Sequence, residues 1–336
     1  MKLSEIGEFG LISHLQNKLE VREGTLLGIG DDCAILSALS CPIVTADALV
    51  EDVHFRRDWT SARALGRKAM AVNVSDLAAS GARPVAAFVS LALSEAVDVE
   101  WVESLYEGFE DMAREFCFTV AGGDTTKSRG GVMISVTLIG EVLNEKRGPI
   151  LRSGAQVGDV LMVSGTLGDS AAGFALLQTP QTLISASARE KLLLSHHEPM
   201  PRLELMRSIL GFDAESLHAA LDLSDGIVGD AAHLARRSSV SLQIDAEKVP
   251  ISPICREAAQ NLETSALDFA LSGGEDYELL IAVAPIHVDD LLTRFKNEPA
   301  PLSVVGKCVA PGPAGPQVLI LENGIERPQA SAWRHF

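Results

Sequence analysis

Ser61-Ala62-Arg63-Ala64-Leu65-Gly66-Arg67-Lys68-Ala69-Met70-Ala71-Val72-Asn73-Val74-Ser75-Asp76-Leu77-Ala78-Ala79-Ser80-Gly81 reads as one long helix with a cap at each end. Leu65, Ala69, Val72 and Asp76 are spaced four, three and four apart, so they share one face. That face is expected to be buried. A carboxylate there is costly unless it is paired or binds a metal. Working outward, helix and strand signals alternate to both ends. Ile6, Phe9, Ile12, Leu15 and Leu19 recur at helical spacing. So do Val102, Leu105, Phe109, Met112 and Phe116, with Asp98 as a candidate N-cap. Strands are expected at 41–46, 84–93, 117–121, 131–142, 158–164, 218–223, 240–245, 277–284 and 302–309. A hairpin is expected at 317–327, turning on Asn323-Gly324.

Asp76 has company. The runs Leu26-Leu27-Gly28-Ile29-Gly30, Ile43-Val44-Thr45-Ala46, Thr119-Val120-Ala121-Gly122-Gly123, Ala220-Leu221 and Leu271-Ser272-Gly273-Gly274 lead into Asp31-Asp32, Asp47, Asp124, Asp222 and Glu275-Asp276. Asp225 follows at Leu223-Ser224-Asp225-Gly226. One acid at a strand end is ordinarily a turn or cap residue. Six, several beside glycine and one on an apolar helix face, point to a shared site. Mg2+ takes oxygen ligands, usually one or two carboxylates, with phosphate oxygens supplying others. Glycines let backbone N–H groups approach such phosphates. The pattern therefore suggests several metals holding a polyphosphate.

The 336 residues, 47% hydrophobic and 22% charged, are enough for about two globular domains. Residues 144–158 are turn-rich, which sets the expected domains at 1–150 and 151–336. With 28 basic and 45 acidic residues the net charge is −17. A chain this acidic repels a nucleic-acid backbone. No apolar run reaches the ~18 residues that span a bilayer, and Met1-Lys2-Leu3-Ser4-Glu5 is unlike a secretory leader. A soluble, cytoplasmic protein is expected. Cys33, Cys41, Cys117, Cys255 and Cys308 are odd in number and widely spaced. They are expected as reduced thiols. There is no GxxxxGK[ST], HExxH or GxSxG, and no protein-kinase motif set.

Taken together these segments resemble the thiamine-monophosphate kinase family. The matching stretches are Gly28-Ile29-Gly30-Asp31-Asp32, Asp47 with Val53-His54-Phe55, Asn73 to Ala82, Gly122-Gly123-Asp124-Thr125-Thr126 and Arg152-Ser153-Gly154-Ala155 with Gly158-Asp159. Next come Asp222-Leu223-Ser224-Asp225-Gly226, Gly273-Gly274-Glu275-Asp276-Tyr277-Glu278-Leu279 and Trp333-Arg334-His335-Phe336. The resemblance implies a two-domain PurM-like α/β (α+β) fold, of the aminoimidazole-ribonucleotide-synthetase-like superfamily. It implies N-terminal sheets paired in a homodimer, a C-terminal α/β domain, and ATP with several Mg2+ ions between the domains. The implied metal ligands are Asp31, Thr45, Asp47, Asp76, Asp124, Asp222 and Asp225. The implied ATP contacts are Tyr106, Gly123, Asp124, Arg152 and Ser224. The implied contacts to thiamine phosphate are His54, Glu275 and Trp333. Ala46, Asp52 and Ala332 replace a usual Thr, Gly and Gly, and none of these changes removes a carboxylate.

The implied chemistry needs no catalytic side chain. A phosphate monoester has its second pKa near ~6, so it is already a nucleophile at neutral pH. The difficulty is bringing two anions together, and cations address it. Arg152 suits a forked phosphate contact. Trp333 and Glu275 suit the thiazolium cation. Two other readings share the carboxylates. One is another ATP-dependent enzyme of the superfamily. The other is a non-catalytic, acidic Mg-nucleotide-binding protein, which need not keep Arg152, Glu275 and Trp333.

Overall fold

The computed structural model describes residues 10–12, 14–16, 18–29, 33–94 and 96–327. The chain divides into two compact units. One comprises the residues up to Leu77 with Ala82–Glu145; the other comprises Ala78–Gly81 with the residues from Lys146 on.

The first unit contains β1 (Thr25–Leu27), β2 (Ile35–Leu36), β3 (Pro42–Val50), α1 (Ala62–Ala79), β4 (Ala82–Leu93), α2 (Val99–Glu115), β5 (Thr119–Lys127) and β6 (Met133–Val142). Its sheet has the order β3-β6-β4-β5. The β3–β6 and β6–β4 pairs are antiparallel. β4 and β5 are parallel, and α2 supplies the crossover that a parallel pair requires. β3 lies at an edge. Its Pro42, Val44, Ala46 and Ala48 are exposed, while Ile43, Thr45 and Asp47 between them are half-buried. That period of two puts Thr45 and Asp47 on one face.

The α2 stripe is buried as its spacing requires, and the Asp98 carboxylate accepts a hydrogen bond from Trp101 N at 2.9 Å. Leu65, Ala69 and Val72 of α1 are buried too. The helices meet backbone to backbone. A Cβ on Gly66 would lie 2.1 Å from Leu105 O, and one on Gly108 would lie 2.1 Å from Arg63 O. Only glycine permits that approach.

Two strands run well past their expected spans. β3 and β5 do not stop at Asp47 and Asp124 but continue to Val50 and Lys127. Their ladders to β6 and β4 are unbroken through both acids. Cross-strand pairing, which local sequence does not encode, extends them. β5 begins at Thr119 rather than Cys117, because Cys117 (φ 58°) turns the chain out of α2.

The second unit contains β7 (Val160–Ser164), α3 (Asp169–Gln178), α4 (Ala186–His197), α5 (Leu203–Asp213), β8 (Leu217–Asp222), α6 (Ile227–Ser238), β9 (Ser241–Asp245), α7 (Pro253–Asn261) and α8 (Ala266–Ser272). It continues with β10 (Leu279–Val283), α9 (Val288–Arg294), β11 (Leu302–Val309), β12 (Val318–Glu322) and β13 (Ile325–Glu326). One sheet has the order β13-β12-β9-β11-β7-β10-β8. Within it only β12–β9 is parallel. Leu161, Leu221, Leu242 and Leu280 of the sheet pack with Ile227 and Leu234 of α6. Asn323 (φ 52°) and Gly324 (φ 76°) both take the left-handed region at the β12–β13 turn, as a tight primed hairpin demands. All five cysteines are free thiols. Among the described residues no helix is long and apolar enough to cross a membrane.

Gly108→Ala forces the α1–α2 contact apart. It should lower the stability measured by urea denaturation by about 3 kcal/mol. An unchanged midpoint would show that the two backbones do not touch.

Candidate active site

In the first unit, the period of β3 aims Thr45 and Asp47 the same way, and Asp76 sits one turn from the end of α1. The Thr45 hydroxyl donates to the Asp76 carboxylate. The Asp47 and Asp76 carboxyls share a hydrogen bond. Burial, then the charge and hydrogen bond of Asp76, push Asp47 up to about 6. His54 lies just beyond β3. Its Nδ1 accepts from Val50 N at 3.0 Å, which leaves the proton of a neutral ring on Nε2. Tyr106 is buried and packs edge-to-face on Phe109, with ring centroids 4.9 Å apart. Burial raises its phenol pKa.

Gly123 and Asp124 lie on β5, at the opposite edge from β3. Asp124 is exposed and pairs in register with Ser90. Three strand steps separate β3 from β5, roughly 14 Å. Along the sheet, Asp124 stands at the far edge from Asp47. Gly123 has φ 153°, and a Cβ there would stand 1.8 Å from Val89 O, so no other residue fits that backbone.

In the second unit, Asp222 closes β8 and is 4% exposed. The chain then turns through Ser224 and Asp225 into α6. Asp230, in the first turn of α6, accepts from Ser224 N at 2.9 Å and Asp225 N at 2.8 Å. Burial pushes its carboxyl up to about 7; the two N–H donors and Arg152 oppose that rise, and Asp225 adds to it. Arg152 is exposed on the loop that faces this turn. Ser238 at the far end of α6 ties that loop down. Its hydroxyl donates to Arg152 O at 2.8 Å and accepts from Gly154 N at 3.1 Å and Ala155 N at 3.2 Å.

The stretch 273–278 lies against the same turn. Glu275 N donates to Ser224 O at 2.7 Å, Tyr277 N to Leu223 O at 2.8 Å, and Leu223 N to Glu278 O at 2.8 Å. Asp276 is half-buried and accepts from Gly168 N at 3.0 Å; loss of water around its carboxyl holds it well above the ordinary range. Glu278 receives both prongs of Arg202, at 2.7 and 2.5 Å, and the Ser164 hydroxyl.

The structure thus gathers Thr45, Asp47 and Asp76 in one unit. In the other it gathers Arg152, Asp222, Ser224, Asp225 and Glu275. Asp31 and Trp333 lie outside the described residues. Among the described residues no group of three or more His, Cys, Asp or Glu side chains could hold a metal ion by itself. The donors present are oxygens: the Thr45 hydroxyl with Asp47 and Asp76, and the carboxylates of Asp222 and Asp225. They fit a hard cation that takes one or two carboxylates and fills its other positions from elsewhere, as Mg2+ does. Asp230, Ser238 and Arg202 escaped the sequence reading. Asp230 had a signal, an acid in the first turn after Gly226; the other two had none, because their partners are distant in sequence.

Residues 30–142 match the AIR synthase related protein, N-terminal domain, and residues 156–318 match the C-terminal domain of the same family. This defines a two-domain AIR synthase related protein with the PurM-like fold. Thiamine-monophosphate kinase of Haemophilus influenzae is 39% identical over 310 residues, covering 90% of this chain and 89% of that one. The Escherichia coli K12 enzyme of the same name is 35% identical, covering 90% and 91%. The solved thiamine-monophosphate kinase of Stenotrophomonas maltophilia superposes with TM-score 0.77 at 36% identity, covering 95% and 97%. A solved structure of AaThiL complexed with AMPPCP and TMP gives 0.76 at 34%, covering 100% and 99%. The chain belongs to the thiamine-monophosphate kinase family. Hydrogenase maturation protein HypE, at 19% identity and TM-score 0.73, shares the fold alone.

Asp47 provides a test of the carboxyl pair. A carboxyl raised from 3.8 to about 6 adds stability below its ordinary pKa that is lost as pH rises through the raised value. Without divalent metal, the melting temperature should fall from pH 4 to pH 7. Asp47→Asn should flatten that fall by an amount corresponding to about 2 kcal/mol; equal slopes would show that the pair is not formed. Asp230→Ala strands two backbone N–H groups and should cost about 2 kcal/mol in chemical denaturation. Its affinity for nucleotide should fall as the 224–225 turn loosens; wild-type affinity would show that the turn holds itself.

Proposed function

We infer that this chain is an ATP-dependent thiamine-monophosphate kinase, which converts ATP and thiamine phosphate to ADP and thiamine diphosphate. One observation carries the reading: the likeness over the whole chain to AaThiL held with AMPPCP, an ATP analogue, and TMP. A terminal oxygen of thiamine phosphate attacks the γ-phosphorus in line. The bond from that phosphorus to the β–γ bridging oxygen breaks, and ADP leaves with its electron pair. The acceptor is already largely dianionic at neutral pH, so no side chain need remove a proton.

Mg2+ is the proposed metal. Thr45, Asp47, Asp76, Asp222 and Asp225, with Asp31 and Asp124, are its proposed holders. When bound it supplies charge neutralisation and alignment of the reacting phosphates. Arg152 is proposed to fork onto phosphate, while Ser224, Gly123 and Tyr106 are proposed to bind the nucleotide. His54, Glu275 and Trp333 are proposed to bind thiamine phosphate. A homodimer is proposed because β3 and β5 are the edge strands of the four-stranded sheet among the described residues and Val44 and Met133 on one of its faces are 61% and 37% exposed. A cytoplasmic location is proposed with it, where ATP is at hand.

Incubation with Mg-ATP and a panel of phosphate acceptors, read by product mass, should give thiamine diphosphate and ADP together. A phosphorylated protein, or retention at a chiral γ-phosphorus, would contradict direct transfer. Trp333→Ala should raise the KM for thiamine phosphate about tenfold through the lost cation–π contact and leave that for ATP near its parent value. Equal rises in both would remove Trp333 from the acceptor side.

A further inference from the structure

Glu275 has an unusual backbone. It sits at φ 58°, between Gly274 at φ 71° and Asp276, with Tyr277 at φ 51°. A left-handed glutamate is uncommon and strained, and such strain persists only where its surroundings enforce it. Backbone bonds to Ser224 O and Leu223 O hold the main chain. They leave the direction of the carboxylate undetermined, because a glutamate side chain has three rotatable bonds.

His196, in the last turn of α4, settles that direction. Its Nδ1 lies 3.2 Å from Glu275 Oε2 and 3.2 Å from Ser170 Oγ. The histidine side chain is 6% exposed and that of Glu275 28%. A carboxylate only accepts, and the tautomer with its proton on Nδ1 turns a donor toward Glu275, with the Ser170 hydroxyl at the same distance. The ring itself is held in place. It packs against Phe174 of α3 at 5.4 Å between centroids, and Ser170 sits on the same helix, buried. The carboxylate thus leans on a rigid, buried side chain.

We propose that His196, backed by Ser170, is the positioning residue that fixes the Glu275 carboxylate for the cationic acceptor. This rests on the kinase reading and on the acceptor-side role of Glu275. His196 touches neither substrate. It acts by preorganising one charge, so its removal weakens acceptor binding and leaves nucleotide binding alone.

The test is steady-state kinetics of the full chain with four variants: His196→Leu, His196→Asn, Glu275→Ala and the double variant His196→Leu/Glu275→Ala. Melting temperatures are measured alongside. His196→Leu should raise the KM for thiamine phosphate about tenfold, the value of one hydrogen bond to a charged group, and change the KM for ATP less than twofold. Asn places an N–H close to the position of Nδ1, so His196→Asn should recover most of the loss. The double variant should be no worse than Glu275→Ala, because the two residues act as a unit. Equal rises in both KM values, no recovery by Asn, or additive losses in the double variant would overturn the assignment. If His196→Leu does not fold, the Asn variant and its double with Glu275→Ala decide the matter by the same criteria. If the unsubstituted chain fails to turn over thiamine phosphate, the kinase reading itself falls, and the assignment with it.

Discussion

Carboxylates crowded out of water repel one another, and each must have a proton, a cation or a set of donors. Three places in the chain meet that constraint differently. Asp47 and Asp76 meet it with a hydrogen bond between them and a hydroxyl from Thr45. Asp230 meets it with two backbone N–H groups. Asp276 and Glu278 meet it with Gly168 N and the fork of Arg202. The last two are closed within the protein and serve as scaffolding. The first belongs to the site proposed for the cation. That difference separates the acids that build from the acids that bind.

The scaffolding acids explain how the binding ones keep their places. Asp230 shapes the turn that carries Ser224 and Asp225. Asp276 and Glu278 anchor the left-handed stretch that carries Glu275. Backbone bonds between Leu223-Ser224 and Glu275-Tyr277 join the two stretches directly. Residues assigned to nucleotide and metal therefore share one rigid backbone seam with a residue assigned to the acceptor. For a reaction whose demand is placement of two anions rather than proton transfer, such rigidity is the relevant property.

Much of this was legible locally. The 61–81 helix, the Asp98 cap, the α2 stripe and the Asn323-Gly324 hairpin each follow from interactions within a few residues along the chain. The acids of the proposed site stand out in the sequence as well, because acids beside apolar runs and glycines are costly without a purpose. The setting of Asp124 was not legible. Its strand continues past it, and the sheet order sets it at the edge opposite Asp47. Ser238, Arg202 and His196 gave no sign, since the groups they hold lie 76 to 86 positions away or, for Ser170, on another helix.

The amino-acid order alone marked the 61–81 and 98–116 helices, the Asn323-Gly324 turn, which acids are expensive, and which family the chain resembles. These depend on side-chain periodicity and backbone preference, which act over one or two turns. The folded chain alone decided which acids share a proton, which are neutralised by main-chain donors, and which histidine aims Glu275. Those outcomes depend on distances of about 3 Å between residues remote in sequence, and only the pairing of strands and the packing of helices sets such distances.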